Sequence, residues 1–382
     1  MAFFRNTTVN LLNLHYGIHA LAITGGGAFF LVYLLRAGLP PPLVLASMAA
    51  ITAGRFVFRP SILALGKRIG LRPLVLIGVA ITALEYALLA EVHGVGLGLL
   101  ALIVTSAVGE TFYWTSYHAY FAALGDAEHR GQQIGVREAI AAIVGIVAPL
   151  AAGWSLTTLG PRVAFGVTGA ILLLSALPLL QAPKVPIPRE APGALKASMG
   201  GAIMMSADGW MASGYFVWQI ALFLSLGENF AAYGGAMALA ALAGATAGLA
   251  LGRVIDAGHG RRVAIIAFIA MSVSVAFRAV GYQHPAIAVI ANAAGAAIVP
   301  FYTAVFMTAV YNKALASPCT LRFHIATEGG WDAGTTLGCL TAALLLWLGA
   351  PLWAGILLSL LGACAAYALM RRHYGREASA RP

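Results

Sequence analysis

The stretch PKVPIPREAPGALKA, residues 183–197, divides the sequence into two long apolar halves. Its four prolines and mixed charges cannot continue a membrane helix, because proline lacks an amide hydrogen and clashes with the preceding helical turn. Of the 382 residues, 60% are hydrophobic and only 9% are charged, whereas a soluble domain carries about 25% charged residues. This composition excludes a soluble fold, and the stretch is predicted to be a cytoplasmic linker between two membrane domains.

Each half is predicted to hold six transmembrane helices, which makes the chain an all-α membrane protein of about twelve spans. A span takes about 20 apolar residues, so the short loops leave no room for a soluble domain. The predicted N-terminal bundle covers residues 1–182, and the C-terminal bundle covers residues 198–382 with a short basic tail. The predicted helices are residues 15–36, 42–64, 73–92, 95–122, 132–157, 163–182, 199–226, 230–252, 263–282, 286–312, 321–347 and 351–370.

Basic residues indicate the orientation of these helices. With the N-terminus in the cytoplasm, only Arg36 and Arg162 lie in or beside outer loops. Cytoplasmic loops of membrane proteins carry such an excess of positive charge. We therefore expect a multi-pass protein of the cell inner (cytoplasmic) membrane with both termini in the cytoplasm. The first apolar run, which extends to Leu35, is too long for a signal-peptide core and is expected to remain as a helix.

The two halves show signs of an internal repeat. Four pairs of residues share an offset of 189 or 190: Gly38 with Gly227, Gly70 with Gly260, Phe112 with Phe301, and Glu138 with Glu328. A shared offset favours two related parallel repeats, the arrangement in which transporters place a binding site at mid-membrane between the halves.

After the eighth predicted helix the chain reads GRVIDAGHGRR, residues 252–262. This resembles the loop motif of the major facilitator superfamily, with one extra residue between Asp256 and Gly260. The first-half counterpart, LALGKRIGLRP, residues 63–73, keeps Gly70 and the basic residues but not the family's Gly and Asp at its start.

The fifth predicted helix carries GIVAPLAAG, residues 145–153, which is similar to a Gly-Pro motif of antiporters in that family, with Ala148 in place of a glycine. The fourth lacks the family's buried antiporter arginine and has Glu110 in that region. The resemblance implies a major-facilitator-like fold and a secondary active transporter that works by alternating access. It also implies a gating role for the loop residues Gly252, Asp256, Gly260, Arg261 and Gly70.

Charged residues inside a membrane cost about 2.5–3.5 kcal/mol each on insertion scales, so each marks a functional hypothesis. The eleventh predicted helix is the richest, and its polar residues share one face: His324, Glu328, Trp331, Asp332 and Thr335. This stripe either lines the transport path or contains an acid that pairs with Arg322. The residues Gly330, Gly334 and Gly338 line a different face and suit close helix packing.

The seventh predicted helix carries Asp208 with Trp210, Tyr215 and Gln219, of which Trp210 and Gln219 are predicted to line the substrate cavity. The repeat partner of Asp208 is His19. A carboxylate and an imidazole at matching places could titrate and couple transport to protons. The alternative is that each makes a satisfied buried hydrogen bond. His15 and His19 are four residues apart, a spacing that could hold a metal, but no carboxylate follows them.

The fourth predicted helix places a carboxylate, an imidazole and aromatic rings at helical spacing: Glu110, Tyr113, Trp114, Tyr117, His118 and Phe121. Aromatic faces attract positive charge, so this helix suits an organic cation or an amphipathic solute. An interfacial aromatic belt is the alternative for the residues near the helix end.

Two further charges are candidates. Glu138, the repeat partner of Glu328, is predicted to take part in proton coupling with Asp208, Glu328 and His19. Arg55 near mid-membrane is predicted either to neutralise Glu85 or another buried acid, or to bind an anionic group of the substrate. The arginines nearer to helix ends, Arg59 and Arg278, are expected to extend to the membrane surface.

No phosphate-binding loop and no nucleophile with a neighbouring base occurs in the sequence, so we expect no enzyme, no cofactor and no ATP-driven transport. The expected partners are a small-molecule substrate, protons and the lipid bilayer, without nucleic acid, and the expected state is a monomer. Two alternatives remain open. One is a transporter of a transition metal or its chelate that uses His15, His19, His118 and His324; the other is a non-transporting assembly factor or receptor on the same fold.

Overall fold

The computed structural model describes residues 7–124, 130–187, 190–255 and 260–379. Side-chain positions are described for all of these except residues 9, 122, 130–142, 249–255, 260–264, 304, 305, 308 and 373–379. The regular structure of this part of the chain is entirely helical. Its helices are α1 Thr7–Thr24, α2 Phe30–Arg36, α3 Pro41–Ile69, α4 Leu71–Ala90, α5 Leu97–Leu124, α6 Arg130–Thr158, α7 Pro161–Leu180, α8 Ala194–Ser225, α9 Phe230–Ile255, α10 Gly260–Gly281, α11 Pro285–Leu315, α12 Thr320–Trp347, α13 Leu352–Leu357 and α14 Ser359–Ser379.

Membrane-spanning character is clear in most of these helices. Among the described residues, 8 stretches are long and apolar enough to cross a membrane, and two shorter apolar helices, Ile143–Thr158 and Ile265–Gly281, accompany them. The helices α8 and α12 fall outside this apolar group although they are 32 and 28 residues long. The chain is thus a multi-pass membrane protein with the predicted all-helical fold, and the count of twelve spans stays a prediction.

The first predicted helix is interrupted. A 3-10 turn, Gly26–Phe29, separates α1 from α2, and the twelfth predicted helix is likewise divided into α13 and α14. A Cβ on Gly26 would lie 2.9 Å from the Cβ of Thr168, and one on Gly27 would lie 2.7 Å from the Tyr86 hydroxyl. Glycine at these positions therefore allows the chain to bend close against α4 and α7.

The linker packs on the turn between α3 and α4. Gly70 forms this turn with φ +82°, a conformation that favours glycine, and a Cβ there would lie 3.2 Å from the carbonyl oxygen of Val185. The amide of Leu71 donates to the same carbonyl at 3.2 Å, and Arg72 Nη1 donates to the carbonyl of Ala182 at 2.7 Å. Gly70, predicted as a gating residue, thus connects the first half to the linker.

The two halves of the chain meet along α3 with α12 and along α6 with α9. In the second contact, the Cβ position of Gly145 lies 3.2 Å from the Cβ of Ala241. Near the α8–α9 loop, the Phe29 ring of the first half lies 5.4 Å from the Tyr233 ring of the second. Small residues and aromatic rings therefore bring the halves together on either side of the molecule.

Within the second half, α12 packs directly on the backbone of α8. The Cβ positions of Gly330 and Gly334 collide with the carbonyl groups of Ala202 and Ser206. These glycines line a face of α12 different from the polar stripe, as the sequence predicted. Lipid gives helices little hydrophobic reason to associate, so close backbone approach through small residues is what stabilises such a pair.

We predict that Gly334→Ala destabilises the protein, because the added methyl group meets the Ser206 carbonyl and must separate α12 from α8. Overpacking of this kind costs about 1–3 kcal/mol. Thermal unfolding of the detergent-purified protein measures the effect. Gly166→Ala is the matched control, since Gly166 is exposed on α7 with no atom within 4 Å of its Cβ position. Equal unfolding temperatures for both variants would contradict the proposed role of the glycine face.

Candidate functional site

A buried arginine of α3 lies among three carboxylates. The Nη1 atom of Arg55 lies 2.5 Å from Glu110 Oε2 on α5. Its Nε lies 2.9 Å from Asp332 Oδ1, and its Nη2 lies 3.6 Å from Glu328 Oε2, both on α12. The sequence left two roles open for Arg55, neutralising a buried acid or binding an anionic group of the substrate. In the structure it neutralises buried acids, and these do not include Glu85.

A second arginine, one helical turn along α3, completes the group. Arg59 is 2% exposed and its Nε donates to Asp332 Oδ2 at 3.1 Å, while its Nη2 contacts the same oxygen. Its Nη1 donates to the Thr115 hydroxyl on α5. The expectation that Arg59 extends to the membrane surface is therefore wrong, because a buried carboxylate from the other half stabilises its charge inside the protein.

We call Arg55, Arg59, Glu110, Glu328 and Asp332 the central ion cluster. It contains two cations and three carboxylates, so it carries one excess negative charge when all are ionised. Asp332 is fully buried and is paired with both arginines rather than with Arg322. Because the arginines belong to the first half of the chain and two of the acids to the second, the cluster joins the halves electrostatically.

Aromatic and imidazole rings surround the cluster. The guanidinium carbon of Arg55 lies 5.3 Å from the centroid of the Trp331 ring, a cation–π contact. His118 Nε2 lies 4.0 Å from Glu328 Oε1, and the His118 ring lies 5.8 Å from the His324 ring and 5.7 Å from the Trp114 ring. The polar residues predicted on the fourth and eleventh helices therefore meet at one place.

Asp208 of α8 lies next to the cluster through Trp331. Its Oδ1 accepts a hydrogen bond from the Tyr302 hydroxyl at 2.5 Å, and its Oδ2 accepts one from Trp331 Nε1 at 3.1 Å. Trp331 thus touches Arg55 with its ring and Asp208 with its N–H. Both oxygens of a carboxylate inside the second half are bound by neutral donors, without an ion pair to Asp208 among the described residues.

The positions in the first half that match Asp208 and Tyr302 are His19 and Tyr113. The His19 ring stacks on the Tyr113 ring at 4.0 Å, and Tyr113 and Tyr302 are related by the same offset as His19 and Asp208. His15 has a hydrogen bond with the Ser175 carbonyl at 2.7 Å and one with the Tyr113 hydroxyl at 3.0 Å. In the described part of the chain, no three His, Cys, Asp or Glu side chains are placed to hold a metal ion.

The chain matches the family model of the Major Facilitator Superfamily over residues 14–317, which is most of its length. The protein belongs to the major facilitator superfamily. It is therefore a membrane transporter, as the loop motif and the two-half layout predicted. Comparison with curated proteins gave no match.

Several other residues that the sequence singled out in this transporter lie outside the central ion cluster, and the predicted cavity role of Trp210 and Gln219 stays a prediction. The indole N–H of Trp210 donates to the Leu358 carbonyl at 3.0 Å, between α13 and α14. Tyr215 lies beside Arg278, and Thr335 donates to the Gly209 carbonyl at 3.0 Å. Gln219 is half-buried on α8. Tyr117 of α5 stacks on Tyr113 with ring centroids 5.5 Å apart, and its ring lies 5.6 Å from that of His15.

The residues predicted to gate this transporter are only partly described. Gly252 lies in α9, and Gly260 and Arg261 begin α10. Asp256 and the Glu138 side chain lie outside the described residues. Their predicted roles in gating and in proton coupling stay predictions.

Sequence reasoning missed three participants in the site: Arg59, Thr115 and Tyr302. Arg59 was assigned to the membrane surface, and Thr115 gave no signal, since a hydroxyl within an apolar helix is common. Tyr302 did give a signal, because it follows Phe301, which marks the repeat. The same offset relates Tyr302 to Tyr113, and with the His19–Tyr113 contact it indicates a contact between Tyr302 and Asp208.

An exposed ion pair offers a comparison with the cluster. Arg162 Nε lies 2.7 Å from Glu91 Oε1 and Arg162 Nη2 lies 3.0 Å from Glu91 Oε2, but the two side chains are 78% and 49% exposed. The hydrogen bonds from Arg162 hold the pKa of Glu91 below its usual value, so the carboxylate is ionised at neutral pH. Any stabilisation that it provides is present above the unfolded-state pKa and is lost as the pH falls through the lower, folded-state pKa.

We predict that Asp332→Asn costs about 3–5 kcal/mol of stability, because it leaves two buried arginines without their common carboxylate. Chemical unfolding in detergent at pH 7 measures it, and Glu91→Gln, at the exposed pair, is the control with little expected change. A double-mutant cycle with Arg59→Met isolates the pair: the double variant should lose less than the sum of the single losses. Additive losses would show that the contact is not a coupled ion pair.

Proposed function

We propose that this transporter is a secondary active carrier that moves a small solute by alternating access and couples that movement to protons. In this proposal, residues 1–182 and 198–382 form two six-helix bundles that rock against each other in the cell inner membrane, with both termini in the cytoplasm. The observation that carries the proposal is the position of the central ion cluster, at the contact between the two halves of the chain.

The cluster supports alternating access on energetic grounds. For α3 and α12 to separate, Arg55 and Arg59 must leave Glu328 and Asp332, which exposes unpaired charges that are costly away from water. A solute with a charged group replaces part of the lost interaction, and a proton on one of the acids removes a negative charge that would otherwise be left unpaired. The barrier to rocking thus depends on what is bound, which is the requirement for a coupled carrier.

Asp208 and Glu328 are the proposed proton acceptors. Glu328 lies between Arg55 and His118, so protonation of its carboxylate removes the attraction to both neighbours. Trp331 links Asp208 to Arg55, and in this proposal protonation of Asp208 changes the orientation of that ring. His19 and Glu138 are proposed as the first-half counterparts. A proton that crosses the membrane supplies about 2.3 kcal/mol per 100 mV, enough to drive moderate accumulation.

The proposed solute contact is formed by the side chains that surround the cluster. Glu110, Arg55 and His118 offer both signs of charge, and Trp331 and Trp114 offer flat apolar faces. This set suits a small solute that combines a charged group with an apolar or aromatic part. Solutes without charge would leave the ion pairs unchanged and gain little from the site.

We predict that Glu328→Gln and Asp208→Asn abolish transport driven by a pH gradient while solute exchange at equal pH continues. Proteoliposomes loaded with a pH-sensitive dye are given a panel of amino acids, organic acids, nucleosides and organic cations. The wild type should move protons with at least one class, and Glu91→Gln should behave like the wild type. Full pH coupling in both acid variants would refute their role, and a wild type that moves no solute would favour the assembly-factor or receptor hypothesis.

A second prediction tests the movement itself. The hydroxyls of Thr52 on α3 and Thr336 on α12 lie 2.8 Å apart across the two halves. With Cys319, Cys339 and Cys364 replaced by serine, the pair Thr52→Cys and Thr336→Cys should crosslink under mild oxidation and stop transport, and a reductant should restore it. The two single-cysteine variants are the controls. Unchanged transport by fully crosslinked protein would show that α3 and α12 do not separate during transport.

A further inference from the structure

A third buried arginine lies in the second half, away from the central ion cluster. Arg278 of α10 is 7% exposed, so the expectation that it extends to the membrane surface is wrong. Its guanidinium carbon lies 5.6 Å from the Tyr215 ring centroid and 5.3 Å from that of Trp218, both on α8. Two aromatic rings thus form apolar walls beside a charge that is expensive to bury.

This arginine has no counter-charge in the described part of the chain. Neither an ion pair nor a hydrogen bond links it to a described residue, and the ionisable group that acts on it is the Tyr215 phenol, not a carboxylate. Its Nε is buried without a partner. Arg55 and Arg59, by contrast, are each paired with acids. Arg278 therefore differs from these two buried arginines in having no carboxylate beside it among the described residues.

A hydroxyl accompanies the guanidinium. Ser274 lies one turn earlier on α10, is 3% exposed, and its Oγ is also buried without a hydrogen-bond partner. Serines within helices commonly donate to the carbonyl four residues back, as Ser272 does to Phe268 at 2.9 Å. The Ser274 hydroxyl is not used in this way and is available as a donor.

Both groups pack closely against a glycine of α11. A Cβ on Gly295 would lie 2.6 Å from Arg278 Cζ and 2.8 Å from Ser274 Oγ. Any other residue would therefore displace the guanidinium or the hydroxyl. The neighbouring amide of Asn292 is already engaged, since its oxygen accepts from Trp218 Nε1 at 3.0 Å and its nitrogen donates to the Ala236 carbonyl at 3.2 Å.

We propose that Arg278, Ser274 and Gly295 form a binding site for a small monovalent anion at the junction of α8, α10 and α11. The site provides charged N–H donors, one O–H donor and aromatic walls, and no carboxylate of the described residues pairs with these donors. The ligand chemistry is that of a halide or of a carboxylate on a small solute. The site does not depend on the proposed proton-coupled transport, because none of its residues belongs to the central ion cluster.

The test is thermal unfolding of the full-length protein in detergent, titrated with sodium chloride, sodium acetate or sodium gluconate at constant ionic strength. Chloride or acetate should raise the unfolding temperature saturably, and gluconate, a much larger anion, should not. Ligand that binds only the folded state stabilises it in this concentration-dependent way. Stabilisation by chloride alone identifies an inorganic anion, and stabilisation by acetate identifies a carboxylate.

Variants of the site residues show whether the anion-dependent rise in unfolding temperature comes from binding at this site. Arg278→Met should abolish the anion-specific shift, and Ser274→Ala should weaken the apparent affinity about tenfold through loss of a hydrogen bond to the anion. Gly295→Ala should weaken it as well, and Ser272→Ala should leave it unchanged. Equal shifts with all three salts, or a wild-type response in Ser274→Ala and Gly295→Ala, would overturn the proposal even if Arg278→Met fails to fold.

Discussion

The structure depends on the pairing of Arg55 and Arg59 with Asp332 across the two halves of the chain. In a membrane protein these charges have little access to water, so each is tolerable only in contact with the other. Asp332 is fully buried and both arginines are nearly so. The interaction therefore does more than hold two helices together, because it makes the contact between α3 and α12 sensitive to the charge of every group that approaches it.

The position of Asp332 in turn depends on residues that carry no charge. The glycines Gly330 and Gly334 bring α12 against α8, and this fixes the rotation of α12 about its axis. That rotation points Asp332 at α3 and places the Trp331 N–H on Asp208. A small-residue face and a polar face on one helix thus serve a single purpose, since the first determines where the second points.

Sequence alone predicts the helices and most acids of the site, because charged residues in apolar runs are rare and conspicuous. Glu110, Glu328 and Asp332 were found in this way. Which cation pairs with which acid was not predicted, because Arg59 and Asp332 are 273 residues apart and their contact depends on how two halves dock. The error about Arg59 has the same origin: extension to the surface is the right expectation for a lone helix in lipid, but not for one beside a buried carboxylate.

The repeat also explains why the halves have different tasks. His19 with Tyr113 and Asp208 with Tyr302 occupy matching places, but the first pair carries an imidazole and the second a carboxylate. The second pair is connected to the central ion cluster through Trp331, and the first pair through Trp114 and His118, while the two arginines come from the first half. In the proposed function, protonation of Asp208 acts on Arg55 through the Trp331 ring, at the contact between the halves. The proposed coupling then joins a second-half acid to first-half cations, and symmetry of the fold does not require symmetry of the chemistry.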